Sequence, residues 1–197
     1  MPRVANSLGP VICYHGCDRK VAERVLANKT HLIPSKEDYD WLGPGVYFWV
    51  DSKERGLQWA MERSRRKDSK ITDPYVIGAY VLPGLCLNLT DFGVMDELRA
   101  AYGFLSNFMN ASAEPLPKNT IQTDGVFLRR ALDCAVIKTV HQLRADNNEP
   151  PYDTVYGVFD EGGELFPTSG FHEKTHVQIA VVNSDCILGY FRAVGIK

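Results

Sequence analysis

Two short segments hold the residue types best suited to chemistry, Tyr14-His15-Gly16 and Gly43-Pro44-Gly45-Val46-Tyr47-Phe48-Trp49. Each reads as an apolar strand that delivers one polar-tipped ring into a site. Val11-Ile12-Cys13-Tyr14 leads into His15, and Gly16 then removes the side chain from the next position. A glycine there lets backbone N–H and C=O groups come close to a ligand, where a bulkier residue would block them. Further polar residues cluster late in the chain, in Asp160-Glu161-Gly162-Gly163-Glu164 and from His172-Glu173 to His176 and Gln178. The spacing of His172 and His176 invites a metal reading. A loop-to-strand setting does not put both rings on one face, so no metal is expected. Taken singly, a strand-end histidine is most often a packed or capped residue, and Tyr47 a core aromatic. The joint occurrence of the two segments is what points to a site.

The elements that must position these residues follow an α+β pattern. Asp18 to Asn28 puts Val21, Ala22, Val25 and Leu26 on one helical face. After the strand that ends at Trp49, Asp51 and Ser52 open a helix, with Asp51 as its cap and Glu54 three residues on. The spacing predicts Leu57, Met61 and Ser64 on the inner side of that helix, which ends in the charged run Arg63 to Lys67. Tyr75 to Leu82 is an apolar strand stopped by Pro83-Gly84, and Leu85 to Leu89 continues the sheet. Helical spacing then governs Val94, Leu98, Ala101, Leu105 and Phe108, and again Leu132 to Leu143. Between them Ala111 to Gly125 reads as a loop, and Asn147 to Pro151 as a linker. Strands resume at Thr154 to Phe159, His176 to Val182 and Ile187 to Phe191.

A chain of 197 residues is one domain with room for a full core. Hydrophobic content of 45% fits a globular fold, and a formal charge of -2 exerts no bulk pull toward nucleic acid or membrane. No apolar run approaches a bilayer span and no secretory leader is read at the N-terminus, so a cytoplasmic protein without membrane contact is expected. Cys13, Cys17, Cys86, Cys134 and Cys186 are odd in number and scattered, which fits reduced thiols. Cys17 is the one beside the His-Gly pair.

Together the segments resemble the ADP-ribosyltransferase superfamily, in the poly(ADP-ribose) polymerase-like branch built on an H–Y–E triad. His15-Gly16 matches the first motif, and Tyr47, in Gly-x-Gly-Val-Tyr-Phe, matches the second, which the polymerases write Gly-x-Gly-Ile-Tyr-Phe. Asp51-Ser52-Lys53 resembles the Ser-Lys-Ser stretch that follows. Tyr75 to Leu89 is similar to the next strand, and His176 to Val182 with Ile187 to Phe191 to the last motif. The resemblance implies a split, mixed or antiparallel β-sheet core flanked by helices, with residues 94–145 as a helical insertion in a single domain, 1–197. It implies NAD as substrate without a metal, and a macromolecular acceptor, protein or RNA/DNA. By the same resemblance the chain is a small bacterial toxin-like or anti-phage effector with an antitoxin partner. Tyr14, His15, Gly16, Gly45, Tyr47 and Trp59 would hold NAD. Nicotinamide would lie between Tyr47 and either Trp49 or Trp59, its carboxamide on the Gly16 backbone, with His15 on a ribose hydroxyl.

The chain departs from the family where the polymerases carry their catalytic glutamate. Gln178 stands there; it keeps the reach and an acceptor oxygen but loses the charge. An anion beside a developing oxocarbenium-like cation stabilises it strongly in a dry site. Glu161 is the second candidate for that role, ahead of Glu164 and Glu173. The catalytic set is therefore His15, Tyr47 and Gln178, with Glu161 as rival to Gln178. Three activities stay open: a mono-ADP-ribosyltransferase, an NAD glycohydrolase, and an inactive module of the same fold that binds NAD or nucleic acid.

Overall fold

Asp18 ends the first strand, β1 (Val11–Asp18), and starts the first helix, α1 (Arg19–Leu26), by accepting the Lys20 N–H at 2.9 Å. The computed structural model describes residues 9–121 and 127–195. After α1 come β2 (Val46–Val50), α2 (Lys53–Ser64), β3 (Pro74–Val81), β4 (Cys86–Asn88) and α3 (Met95–Ala111). A hairpin of β5 (Asn119–Ile121) and β6 (Phe127–Arg130) precedes α4 (Ala131–Asp146). The chain closes with β7 (Thr154–Phe159), β8 (His176–Val181) and β9 (Ile187–Arg192). Seven strands form one mixed sheet in the order β4-β7-β8-β2-β1-β3-β9, antiparallel throughout except between β4 and β7. The protein is α+β, with the three segments that carry the family resemblance on the adjacent strands β8, β2 and β1.

Side-chain alternation along these strands divides the core into two layers. Cys13, Cys17, Val46, Phe48, Ile77, Ala79, Ile179 and Val181 face α1, which buries Ala22 and Val25 against them. Tyr47, Val155, Phe159 and Ala180 face the other way, toward Ala101 of α3 and Ile137 and Val140 of α4. The helical stretch after residue 94 thus covers one face of the sheet. All five cysteines are buried and none is in a disulfide, and burial pushes the thiols of Cys13 and Cys17 up to about 12, so both stay protonated at neutral pH. Among the described residues no helix is long and apolar enough to cross a membrane.

Four local readings are corrected. Asp51 does not cap α2: it sits at φ 51° with its N–H on the Ile12 carbonyl at 3.0 Å, and Ser52 precedes the helix without a side-chain cap. The inner face of α2 is Arg55, Gly56 and Ala60, while Met61 is exposed. Small residues set that rotation. A Cβ built on Gly16 would lie 2.2 Å from the Gly56 carbonyl oxygen, so the helix rests on bare backbone. Val21 of α1 likewise faces solvent. Leu85 to Leu89 joins the sheet as read, though not beside β3: Pro83 and Gly84 (φ 63°) turn the chain, and β4 pairs with β7 at the opposite edge of the sheet. The stretch 111–125 holds β5 in addition to loop, and its residues 122–125 lie outside the described residues.

Candidate functional site

The sheet splits between β1 and β2. Their ladder contains Cys13/Val50 and Tyr14/Trp49, whereas β1 pairs with β3 through eight positions down to Asp18/Pro74. Asp51 N–H bonds the Ile12 carbonyl, which fixes the even-numbered backbone groups of β1 on the β2 side. Continuing the register would set Gly16 opposite Tyr47. Instead the Nδ1–H of His15 donates to the Tyr47 carbonyl at 2.7 Å, taking up the acceptor that the ladder would have used. The N–H and C=O of Gly16 therefore face the split past the end of the ladder. Trp59 of α2 lies over this point, its ring 3.2 Å from where a Gly16 Cβ would be.

Next to the split, on the Tyr47 face, a cavity of about 520 Å³ opens between α2 and the segment 33–45. Tyr47, Trp49 and Gln178 form its floor on β2 and β8, with Gly45 just before β2, Arg55 and Trp59 one wall, and Glu161 and Lys174 part of the rim. Trp49 and Trp59 meet at a ring separation of 5.6 Å, tilted by 47°. Gln178 pairs with Trp49 in the β2–β8 ladder and is almost wholly buried. Gly45 relieves a tight contact: a Cβ there would lie 3.0 Å from the Val181 carbonyl oxygen and 3.2 Å from the Ala180 Cβ.

Electrostatics at this wall centre on Arg55. Its Nη2 donates to Glu161 Oε2 at 2.7 Å, and its guanidinium lies 5.8 Å from the Trp49 ring. Lys174 Nζ donates to Glu62 Oε1 at 3.0 Å, so α2 and the segment before β8 are tied by two ion pairs. His176 Nδ1–H donates to the Lys174 carbonyl at 2.6 Å. Burial lowers the pKa of His176 and of His15, which keeps both imidazoles neutral at pH 7. The Tyr47 hydroxyl donates to the Gly43 carbonyl at 2.6 Å and accepts the Leu42 N–H at 2.8 Å, and burial holds its pKa far above the usual phenol range. Tyr47 thus pins the turn that shapes the cavity rim.

Of the residues singled out in the sequence, Gly45, Tyr47, Trp59, Glu161 and Gln178 border the one cavity. His15 takes the opposite face, where its ring meets Phe48 edge-on at 5.7 Å, and it acts at the split through Nδ1. Tyr14 packs against Phe191 beneath α2. Sequence reasoning missed Arg55, Glu62 and Lys174. The signal for Arg55 is its place beside Gly56 and four residues before Trp59, on the face where Gly56 and Ala60 permit close packing.

No family model matches the chain, and no solved structure matches it. An uncharacterized protein of Methanocaldococcus jannaschii is similar, 32% identical over 69 residues. That stretch covers 35% of this chain and 31% of the relative.

Proposed function

We propose that the protein is an NAD-dependent mono-ADP-ribosyltransferase. The observation that carries this reading is the convergence of the three resembling segments on neighbouring strands around one split and cavity. The Gly16 backbone offers a donor and an acceptor to the nicotinamide carboxamide, and Trp59 covers the same point as an aromatic face. Gln178 takes the position of the family's glutamate and orients a ribose hydroxyl through its amide oxygen. Glu161 is committed to Arg55 at 2.7 Å, which argues against it as the catalytic carboxylate. In the reaction the ribose–nicotinamide bond breaks, its electron pair leaves with nicotinamide, and an acceptor nucleophile attacks the oxocarbenium-like carbon as it gives up its proton. His15 serves as a positioning residue that keeps the split open.

The segment between β7 and β8 supports transfer to a macromolecule over hydrolysis. It carries exposed Leu165, Phe166 and Phe171 next to the rim residues Glu161 and Lys174, apolar surface that water as acceptor would not need. A small cytoplasmic effector restrained by a neutralising partner belongs to the same proposal. The test is release of nicotinamide from NAD by the purified protein, followed by labelling of a lysate with a tagged NAD, with and without nuclease. Release with label on protein or nucleic acid supports transfer; release without any label favours the glycohydrolase. No release at all removes the enzyme reading.

A further inference from the structure

We infer that the inner wall of the cavity, at Arg55 and Trp49, binds an oxyanion group of a ligand, a phosphate or a carboxylate. Three nitrogen donors gather there without a hydrogen-bond acceptor among the described residues: Trp49 Nε1, Arg55 Nε and Arg55 Nη1. Both side chains line the cavity, and both are more than nine-tenths buried, with 4% of Trp49 and 7% of Arg55 exposed. Buried donors are satisfied almost without exception in native proteins. Neither an indole N–H nor a guanidinium can turn acceptor, so the missing partner must bring lone pairs of its own.

The surrounding contacts hold the guanidinium in place. Nη2 is anchored on Glu161 at 2.7 Å, which leaves Nε and Nη1 for something else. Glu62 does not meet that need: its Oε2 is 3.9 Å from Nη1, beyond hydrogen-bond reach, and its Oε1 is engaged by Lys174. Lys174 adds a second cation at the rim. An oxyanion offers several lone pairs to neighbouring donors, here a guanidinium 5.8 Å from the Trp49 ring, and its bonds to a guanidinium are charge-assisted and short. Glu161 and Glu62 offset much of the local positive charge. This balance gives the proposal its sharpest consequence: removing the Glu161 charge tightens anion binding, while removing Arg55 weakens it.

The inference stands on the donors and goes beyond the NAD reading. NAD would bring a diphosphate; a pyridine carboxylate would bring its own anion on the ring. The experiment titrates the full chain with inorganic pyrophosphate, with nicotinate, and with nicotinamide as an uncharged ring of the same shape. It follows the indole N–H resonance of Trp49, assigned through Trp49→Phe. At least one anion is expected to shift that resonance saturably; nicotinamide, which the NAD reading seats against Trp59 at 5.6 Å from Trp49, shifts it less than the responding anion does. A pyrophosphate response assigns the site to phosphate, and a nicotinate response to carboxylate. Arg55→Gln is expected to weaken the responding anion at least tenfold, with Arg55→Lys intermediate, and Glu161→Gln to strengthen it. The proposal is overturned if neither anion moves the Trp49 resonance, or if nicotinamide moves it as far as the anion that responds. It is also overturned if the Arg55 and Glu161 variants change affinity in the same direction, as a merely structural ion pair would require. Should Arg55→Gln fail to fold, Arg55→Lys and Glu161→Gln carry the test. Nicotinamide release from NAD, measured on the same samples, separates failure of the NAD reading from failure of this site.

Discussion

Two buried charges in this molecule, Asp18 and Arg55, are equally hidden from solvent and differently treated by their surroundings. Asp18 accepts the Lys20 N–H through Oδ1, and the Thr72 N–H, Thr72 hydroxyl and Asp73 N–H through Oδ2, at 2.8 to 3.1 Å. These bonds, the Thr72 N–H first, hold its carboxyl well below the usual range. Arg55 has one close partner, Glu161, and two nitrogens with none among the described residues. A charge satisfied on every side joins β1 and α1 to the start of β3. A charge satisfied on one side, at a cavity wall, retains bonding capacity for a ligand. The contrast teaches that buried charge alone says little, and that the pattern of unmet bonds separates scaffold from site.

Asp18→Ala should show the largest effect. Three N–H groups and one hydroxyl lose their acceptor, at roughly 1 kcal/mol each, so a loss of about 3 kcal/mol or more is expected in urea unfolding. The pH dependence has a definite sign. A carboxyl depressed in the fold contributes stability above its unfolded value of about 4, and this is lost as pH falls through the folded value. A mild Asp18→Ala phenotype would mean that these four bonds are not what holds β1 and α1 to the start of β3. Arg55→Met should cost about 2 kcal/mol because it strands Glu161, which is mostly buried. Adding Glu161→Gln should restore most of that loss; a double variant no more stable than the single would mean that Arg55 is scaffold as well.

Tyr47→Phe comes next, at about 1 kcal/mol, because the Leu42 N–H and Gly43 carbonyl lose their shared partner. The hydroxyl is satisfied as Asp18 is, and thermal unfolding with unchanged ligand affinity would place it with the scaffold. The smallest effect concerns His15 and His176. Burial lowers both pKa values, so the unfolded chain takes up these protons first as pH drops. Stability should therefore fall below about pH 6.5, and His176→Gln should flatten that slope in melts between pH 5 and 7.

Much of the sheet was legible because its strands are apolar and bounded by turn residues; β7 runs from Thr154 to Phe159 as its pattern implies. The position of β4 was not legible, since a turn at Gly84 sends it to the far edge and only long-range pairing decides that. The rotation of α2 was hidden for a related reason. Hydrophobic spacing favours Leu57 and Met61, but the close approach of Gly56 to Gly16 overrides it. In the site, Tyr47 and Gln178 share a cavity because β2 and β8 are neighbours and both residues fall on one face. Arg55 is easily passed over because a helical arginine is ordinarily a surface residue. Its burial depends on Glu161, 106 positions away.

In the proposed reaction Gln178, and not Glu161, faces the reacting bond of NAD. Nicotinamide release by purified wild type, Gln178→Ala and Glu161→Gln, each checked for folding, tests it most directly. Turnover should fall at least tenfold in Gln178→Ala, about 1.4 kcal/mol in the barrier, with stability nearly unchanged, while Glu161→Gln keeps most of its turnover. Wild type that releases no nicotinamide, or turnover that survives in Gln178→Ala and vanishes in Glu161→Gln, would overturn this assignment of Gln178.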